Sequence, residues 1–245
     1  MTNLPQTMHA VHLTGHGGID QLVYRDDVPT PEPKPGQVII NVRAAGVNNT
    51  DINTRIGWYS KSITGDTNEG GADGFDEVDA DDASWSGQPL VFPRIQGADC
   101  TGVIVAVGEG VDPARIGERV LVRTMMQDPD YDSRYFCWTL GSECDGGFAQ
   151  FTSVPAKEAF VINSDWSDVE LASIPCAYST AENMLHRIGL GAERVLITGA
   201  SGGVGSAAVQ LAKCRGAEVI AMAGASKIDA IKAIGADQVI ARDAD

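Results

Sequence analysis

The sequence predicts an α/β protein in which an all-β, barrel-like domain is followed by a domain built on a parallel sheet. Up to about residue 160, the chain consists of short segments rich in β-branched residues and bounded by Gly, Pro or Asp. From about residue 165, apolar strands alternate with helical segments, which is typical of a parallel sheet covered by helices on both faces. We therefore assign residues 1–160 to the first domain and residues 161–245 to the second.

The individual elements follow from local patterns. The first domain is expected to contain the strands MHAVHLTG, QLVYRDDV, QVIINVRAAGV, TGVIVAVGEGV, ERVLVR and GGFAQFTSV, with a short helix TDINTRIG. The second is expected to contain the helices SDWSDVELASI and CAYSTAENMLHRIGLG, then strand RVLITGA, helix GGVGSAAVQLAKCRG, strand AEVIAMA, helix ASKIDAIKAIGA and strand DQVIARD. Val204, Ala208 and Leu211 form one apolar stripe on the glycine-rich helix, which Gly216 is expected to end.

Composition excludes several classes of protein. The net charge of −15 argues against a nucleic-acid partner, because phosphate binding relies on clustered Lys and Arg. No apolar run reaches the roughly 18 residues of a membrane span, and the N-terminus lacks the pattern of a secretory signal. Five irregularly spaced cysteines do not suggest a disulfide framework. We expect a cytoplasmic protein that does not bind membranes.

An acidic loop over residues 62–88 interrupts the first domain. Its stretch 65–85 contains eight acidic residues and no basic one. The carboxylate spacing does not fit a calcium-binding EF-hand loop, so we interpret the segment as a solvated, mobile loop.

A degenerate dinucleotide fingerprint, G-x-G-x-x-G, starts at Ala200 and continues through Gly202 and Gly205. It follows a strand and opens a helix, which is the context that such a fingerprint requires. We expect Ala200 to supply the tight turn, Gly202 to let the main chain approach a pyrophosphate, and Gly205 to let the helix pack closely on the strand. The candidate phosphate-binding residues are Ala200, Ser201, Gly202, Gly203, Val204 and Gly205. The alternative is a purely structural glycine-rich turn.

The following strand indicates which nucleotide is bound. NAD sites usually place Asp or Glu at the tip of this strand, where it binds the ribose 2′-hydroxyl. Here the tip carries no acid, and Ser226 and Lys227 follow it, while Arg242 ends the third strand. These groups suit a 2′-phosphate, so the sequence predicts NADP(H). The alternative for Lys227 is an ordinary surface residue.

The turn TGASGGVG also fits short-chain dehydrogenases, but these place it near the N-terminus and need a downstream Tyr-x-x-x-Lys pair. Here about 190 residues precede the turn and no tyrosine follows it. The order of domains instead resembles the medium-chain dehydrogenase/reductase superfamily. The motifs that carry this resemblance are AAGVNNTDINTRIG, QGADCTGVIVAVGEGVD, IGERVLVR, GGFAQFTSVPA, PCAYSTAENML and GASGGVGSAAVQLAK.

The resemblance implies a GroES-like β-barrel-type domain followed by a Rossmann doubly wound parallel sheet. Members of the superfamily complete six Rossmann strands, whereas this sequence ends after the third at Asp245. We therefore expect a partial Rossmann domain in a C-terminally truncated chain, and a homodimer at full length.

Comparison with the zinc-dependent alcohol dehydrogenases of this superfamily predicts no metal. Their cysteine ligand position holds Asn48, and their histidine ligand position holds Ala98. Only the third position, Cys176, still carries a cysteine, which we expect to be a small buried residue at a helix start. A catalytic zinc needs three protein ligands, and neutral Asn and Ala cannot replace a thiolate and an imidazole.

A different branch, the zinc-independent quinone oxidoreductases, matches the segment Asn48, Asp51, Arg55 and Gly57. The resemblance implies that this segment lines the cleft near the nicotinamide, and it makes Asn48 a candidate for both catalysis and cofactor binding. A tyrosine of that branch is replaced by Asn53, although Tyr59 lies nearby. Our candidate catalytic residues are Asn48, Asp51 and Tyr59. The alternatives are an Asp51–Arg55 ion pair that only holds the helix, and a Tyr59 that only packs beside Trp58.

Two further residues match the family near the cofactor. Thr180 corresponds to a threonine close to the nicotinamide and phosphate, and Lys227 to a lysine that contacts the 2′-phosphate. The alternative for Thr180 is a hydroxyl that bonds back to its own helix.

Taken together, the sequence predicts an oxidoreductase that transfers hydride from NADPH to a quinone or an α,β-unsaturated carbonyl without zinc. Two alternatives stay open: a zinc-type alcohol dehydrogenase, and a non-catalytic regulator that binds NADPH.

Overall fold

A computed structural model describes residues 4–127 and 137–243. The chain divides into two compact units, Met1–Pro175 and Cys176–Asp245. The division lies after the position near residue 160 that the sequence suggested. Arg119 accounts for the difference, because its guanidinium donates to the main-chain oxygens of Ser164 (3.0 Å) and Trp166 (2.7 Å) and to the carboxylate of Asp168 (2.8 Å). These bonds tie the segment after residue 160 to the first unit.

The first unit is predominantly antiparallel β structure. Its elements are β1 Thr7–Leu13, β2 Leu22–Pro29, β3 Gln37–Ala44, α1 Asn49–Ile56, β4 Arg94–Ile95, β5 Thr101–Val107, β6 Arg119–Val122, β7 Met125–Gln127, β8 Cys137–Thr139, β9 Phe151–Pro155, β10 Ala159–Val161 and α2 Asp168–Leu171. They form a five-stranded sheet in the order β10-β6-β5-β3-β9, a three-stranded sheet β2-β1-β4 and the pair β7-β8. The six predicted strands and the helix α1 are confirmed.

Strand β3 shows how the core of this unit is built. Val38 and Ile40 point into a cluster with Ile104, whereas Ile39 points into a second cluster with Met8. Successive side chains of a strand point to opposite faces, so β3 is covered on both sides. This interior strand ends at Ala44, four residues before the last residue ahead of α1.

Helix α2 is much shorter than the predicted SDWSDVELASI helix. It begins at a capping box formed by Ser167 and Glu170 and ends after a single turn. Pro175 explains the early end, because a proline disfavours helical backbone at the preceding residue and suits the first turn of a new helix. The next helix, α3, accordingly starts at Pro175.

The acidic loop contains no helix or strand, but it is attached to α1 at several points. Arg55 donates to Ala72 O (3.2 Å), Phe75 N donates to Ile56 O (3.2 Å), and Trp58 Nε1 donates to Gly65 O (3.1 Å). The segment is therefore attached at these points, while more than half of its residues are exposed to solvent, as its composition suggested.

The second unit contains α3 Pro175–Arg187, β11 Arg194–Ile197, α4 Gly203–Cys214, β12 Glu218–Ala223, α5 Ile228–Ala233 and β13 Gln238–Ala241. The three strands are parallel and adjacent in the order β11-β12-β13, which confirms the predicted parallel sheet but not its coverage by helices on both faces. Among residues 176–243 the helices pack on one face, where Ala208 is buried and Val204 and Leu211 pack against the same cluster. Because crossovers between parallel strands are almost always right-handed, two crossovers in the same direction are expected to place α4 and α5 on the same face. Leu196 and Ile240 are exposed on the other face.

In the part of the chain that the structure describes, no helix is both long enough and apolar enough to cross a bilayer.

Candidate functional site

The turn between β11 and α4 has the geometry of a phosphate-binding loop. Gly199 has a φ of +60°, in the left-handed region that favours glycine. The next residue, Ala200, is fully buried, and its N–H donates to Met222 O (3.1 Å) in the neighbouring strand. Gly202 N donates to Gly199 O (3.0 Å), which places Ala200 and Ser201 at the centre of a tight turn that begins at Gly199. Ala200 also fastens the loop to the sheet.

Gly205 allows α4 to pack against the end of β11, as predicted. A Cβ built at this position would collide with Gly199 O and lie 2.7 Å from Gly199 C and 2.8 Å from Ala200 Cα. All of these are main-chain atoms, which cannot move aside like the end of a flexible side chain. Only glycine fits here without moving the turn.

The first turn of α4 presents unpaired amides to solvent. Ser206 N donates to Gly202 O (2.9 Å), so the amides of residues 203–205 precede the first bond of the helix ladder. Ser201, Gly202 and Gly203 are exposed, and Val204 is half-buried. A Cβ at Gly202 would meet only Gly199 O, at 3.5 Å. This open helix start, with its positive dipole end, suits an anionic phosphate.

Three polar residues follow the carboxyl ends of β12 and β13. Ser226 and Lys227 lie in a short 3₁₀ turn after β12, and all three residues, including Arg242, are exposed. Arg242 N donates to Ala223 O (2.9 Å), which fixes the end of β13 beside the tip of β12. Because carboxyl ends of parallel strands meet at one edge of a sheet, this polar group and the glycine loop share that edge.

Helix α3 borders the same loop. A Cβ at Gly203 would lie 3.6 Å from Ala177 Cβ, so the start of α3 adjoins the start of α4. Thr180 lies one turn further along α3 and is exposed. Cys176, expected to be buried, is only half-buried.

A network of hydrogen bonds in the first unit joins two of the positions that hold zinc ligands in zinc-dependent relatives. The Asp51 carboxylate accepts Asn48 N (2.8 Å) through one oxygen and both Gly97 N and Ala98 N (3.1 Å each) through the other. The side-chain amide of Asn48 donates to the Asp99 carboxylate (2.8 Å). Where a thiolate and an imidazole would meet a metal, this chain has a neutral amide and a methyl group.

Asp51 is deeply buried, with 6% of its surface exposed. Burial raises the pKa of its carboxyl to about 6, although the three main-chain donors oppose the shift. The alternative interpretation, an ion pair between Asp51 and Arg55, is wrong. Arg55 donates instead to the main-chain oxygens of Gly17 and Ala72. The geometry therefore gives Asp51 a positioning role for Asn48 and Ala98.

No group of three or more His, Cys, Asp or Glu side chains able to hold a metal occurs within residues 4–127 and 137–243.

Tyr59 belongs to an aromatic group that the sequence revealed only in part. Its ring packs edge-on against Trp58, as one interpretation expected, with centroids 5.5 Å apart. Its hydroxyl donates to Thr50 Oγ1 (3.1 Å), and Trp85 Nε1 donates to the same oxygen (2.7 Å). Trp85 comes from the acidic loop and was not among our candidates. The tryptophan in an otherwise polar, acidic stretch was the available signal.

The first unit thus carries a polar site around Asn48 and Asp51, and the second has the glycine loop of a nucleotide-binding fold. Residues 34–164 match the family described as alcohol dehydrogenase GroES-like domain. The chain belongs to the medium-chain dehydrogenase/reductase superfamily, in which this domain precedes a Rossmann domain.

Similar proteins include both enzymes and solved structures. One solved structure is that of a protein assigned as an alcohol dehydrogenase from Sinorhizobium meliloti 1021, which is 47% identical to this chain with a TM-score of 0.85. The match covers 99% of this chain and 64% of the other chain. The chloroplastic quinone-oxidoreductase QR1 of Triphysaria versicolor is 29% identical over 95% of this chain and 60% of its own length. The chloroplastic NADPH-dependent alkenal/one oxidoreductase of Arabidopsis thaliana is 27% identical over 97% of this chain and 53% of its own length. The chain thus spans roughly half to two thirds of the length of these relatives.

Proposed function

We propose that this chain is the catalytic and nucleotide-binding part of an NADPH-dependent oxidoreductase that reduces a quinone or an α,β-unsaturated carbonyl. The observation that carries the proposal is the glycine loop opening α4, set beside an acid-free strand tip with Ser226, Lys227 and Arg242. The names of the quinone and alkenal/one oxidoreductases among its relatives support the same reaction class.

The residues of the second unit fit the phosphates of a dinucleotide. The open amides of residues 203–205 match a pyrophosphate, and Gly202 leaves the space that a close approach needs. A 2′-phosphate needs cationic and hydroxyl partners, which Lys227, Arg242 and Ser226 offer, whereas an acid at the strand tip would repel it. When bound, NADPH supplies the hydride, and the protein orients it.

The first unit supplies the environment of the acceptor. As hydride adds to a conjugated carbonyl, negative charge develops on its oxygen and calls for hydrogen-bond donors. The side-chain amide of Asn48 has a second N–H besides the one that donates to Asp99, and this N–H can donate to the carbonyl oxygen. The Tyr59 hydroxyl can donate to the same carbonyl oxygen if it gives up its bond to Thr50. The transition state of an activated acceptor needs less stabilisation than that of an unactivated alcohol. This suits a site in which Asn48 and Ala98 stand at the positions of zinc ligands.

The test of this function is NADPH oxidation, followed at 340 nm, with a panel of quinones, enones and saturated ketones. We expect acceptor-dependent oxidation with quinones or enones, and no loss of activity after dialysis against a chelator. Tight NADPH binding with no oxidation by any acceptor would contradict the reductase and favour a nucleotide-binding regulator. Stoichiometric zinc together with alcohol oxidation would favour the zinc-type dehydrogenase.

The choice of cofactor is tested at Lys227. Replacing Lys227 with Ala removes a charge-assisted bond to the 2′-phosphate, so we expect the Kd for NADPH to rise roughly 10- to 100-fold while that for NADH changes less than about twofold. Titration of cofactor fluorescence measures both constants. Lys232→Ala, an exposed lysine of the adjoining helix α5, is the matched control and should leave both unchanged. Equal weakening of NADH and NADPH by Lys227→Ala would contradict the assignment.

A further inference from the structure

The acidic loop, residues 62–88, places an aromatic residue beside the start of α1, where Asn48 lies. Trp85 lies at its C-terminal end, 35 positions from Thr50. An indole N–H is only a donor, so its 2.7 Å contact to Thr50 Oγ1 has one possible direction. Thr50 lies in the first turn of α1, two residues after Asn48. The bond therefore fixes the indole beside the helix start that carries Asn48.

The main chain around Trp85 is held as firmly as the ring. Ser86 N donates to Glu143 Oε1 (2.8 Å), and Glu143 Oε2 accepts Thr139 N (2.9 Å). Gly87 N closes a turn onto Ser84 O (3.0 Å). Ser84 itself is buried. Trp85 is thus attached to the β7-β8 region on one side and to α1 on the other.

Despite this anchoring, the indole remains accessible. Trp85 is 39% exposed, and its ring lies 4.8 Å from that of Tyr59 at an angle of 41°. Tyr59 is half-buried. A large apolar ring that is both fixed and exposed has lost its conformational entropy before any ligand arrives, which favours binding.

We propose that Trp85 is a specificity-determining residue, and that with Tyr59 it forms an aromatic wall against which a flat, conjugated ring acceptor stacks. The proposal rests on the proposed reductase function and narrows its substrate class to ring quinones over open-chain enones. The eight carboxylic residues of the 65–85 stretch add a second selection, because their negative charge disfavours anionic acceptors. The acidic loop then serves to deliver Trp85 and to favour neutral rings.

The kinetic test compares 1,4-naphthoquinone with but-3-en-2-one as acceptors of the full chain. Replacing Trp85 with Leu keeps an apolar side chain but removes the stacking face, so we expect KM for the naphthoquinone to rise about fivefold to tenfold. KM for the open-chain enone should rise by less, so the ratio of the two KM values should shift in favour of the enone. Trp166→Leu is the matched control, since Trp166 is also exposed and its bonds to Arg119 and Ser164 are made by main-chain atoms. Equal effects of Trp85→Leu on both acceptors would overturn the proposal.

A binding measurement distinguishes failure of this inference from failure of the proposed function. Without NADPH, 1,4-naphthoquinone should quench tryptophan fluorescence in a saturable manner, and Trp85→Phe should remove that component while Trp166→Phe retains it. Trp85→Phe also preserves a ring, so a folding defect is less of a concern than in Trp85→Leu. If no acceptor oxidises NADPH but the saturable quenching is present in the parent and absent in Trp85→Phe, the reductase assignment fails and the ring-binding site is still supported. Quenching that is linear, or that survives Trp85→Phe, would overturn the ring site.

Discussion

Replacing Gly205 with alanine should destabilise the second unit by about 3 kcal/mol and weaken NADPH binding roughly 100-fold. The added methyl group would collide with Gly199 O and press on Gly199 C at 2.7 Å. The main chain of the turn has to move, because none of the obstructing atoms belongs to a flexible side chain. Any such movement shifts the start of α4, and with it the amides of residues 203–205 that face the pyrophosphate. Urea denaturation and cofactor titration measure the two effects.

Two glycines near this loop serve as controls. Gly224 has nothing within 4 Å of a built Cβ, and its φ of −63° suits any residue. We expect Gly224→Ala to change stability by less than about 0.5 kcal/mol. Gly202→Ala should leave folding nearly intact, since its Cβ would meet only one atom at 3.5 Å, but it should weaken cofactor binding by filling the approach to the phosphate. A Gly205→Ala protein with the stability and affinity of its parent would show that α4 is not held as closely as the structure indicates.

Elements with a clear local pattern could be predicted from the sequence, and elements held only by distant partners could not. The β-branched run of β3 and the stripe of Val204, Ala208 and Leu211 are local patterns, and both are confirmed. In contrast, β4 contains two residues, Arg94–Ile95, which are too few to show any period. They form a strand because β1 pairs with them, and β1 lies about 80 residues earlier in the chain.

The candidate site shows the same division. The sequence identified the glycine loop but did not show that Gly199 takes the left-handed conformation there, because a fingerprint counts positions and does not reveal φ. The alternative interpretation, an ion pair between Asp51 and Arg55, rested on the usual four-residue spacing of helical ion pairs. The true partners of Asp51 include Gly97 and Ala98, more than 40 residues away. Trp85 was missed for the same reason, since its bond to Thr50 depends on how the acidic loop folds back.

Replacing Asp51 with alanine should have the largest effect on the first unit, a loss of about 4 kcal/mol in the free energy of unfolding. The substitution leaves three main-chain donors, those of Asn48, Gly97 and Ala98, without their acceptor in a site that is almost closed to water. Unpaired buried donors are costly because they have lost their hydrogen bonds to water as well. Urea denaturation measures the loss. Asp165→Ala removes an exposed carboxylate and should be nearly neutral.

The Asp51 carboxyl should also make stability depend on pH in a distinctive direction. Its pKa is about 6 in the folded protein, above the ordinary value of 3.8, so the folded state holds its proton more tightly than the unfolded state. The stabilisation from this proton is complete below pH 3.8 and is lost as pH rises through 6, amounting to about 3 kcal/mol. Asp51→Asn has no such proton, so the advantage of the parent protein over this variant should shrink by most of that amount between pH 4 and pH 7. Comparing the two proteins cancels the titration of the other carboxylates. Two pH profiles that run parallel would mean that Asp51 is ionised in both states, and that the three N–H donors outweigh its burial.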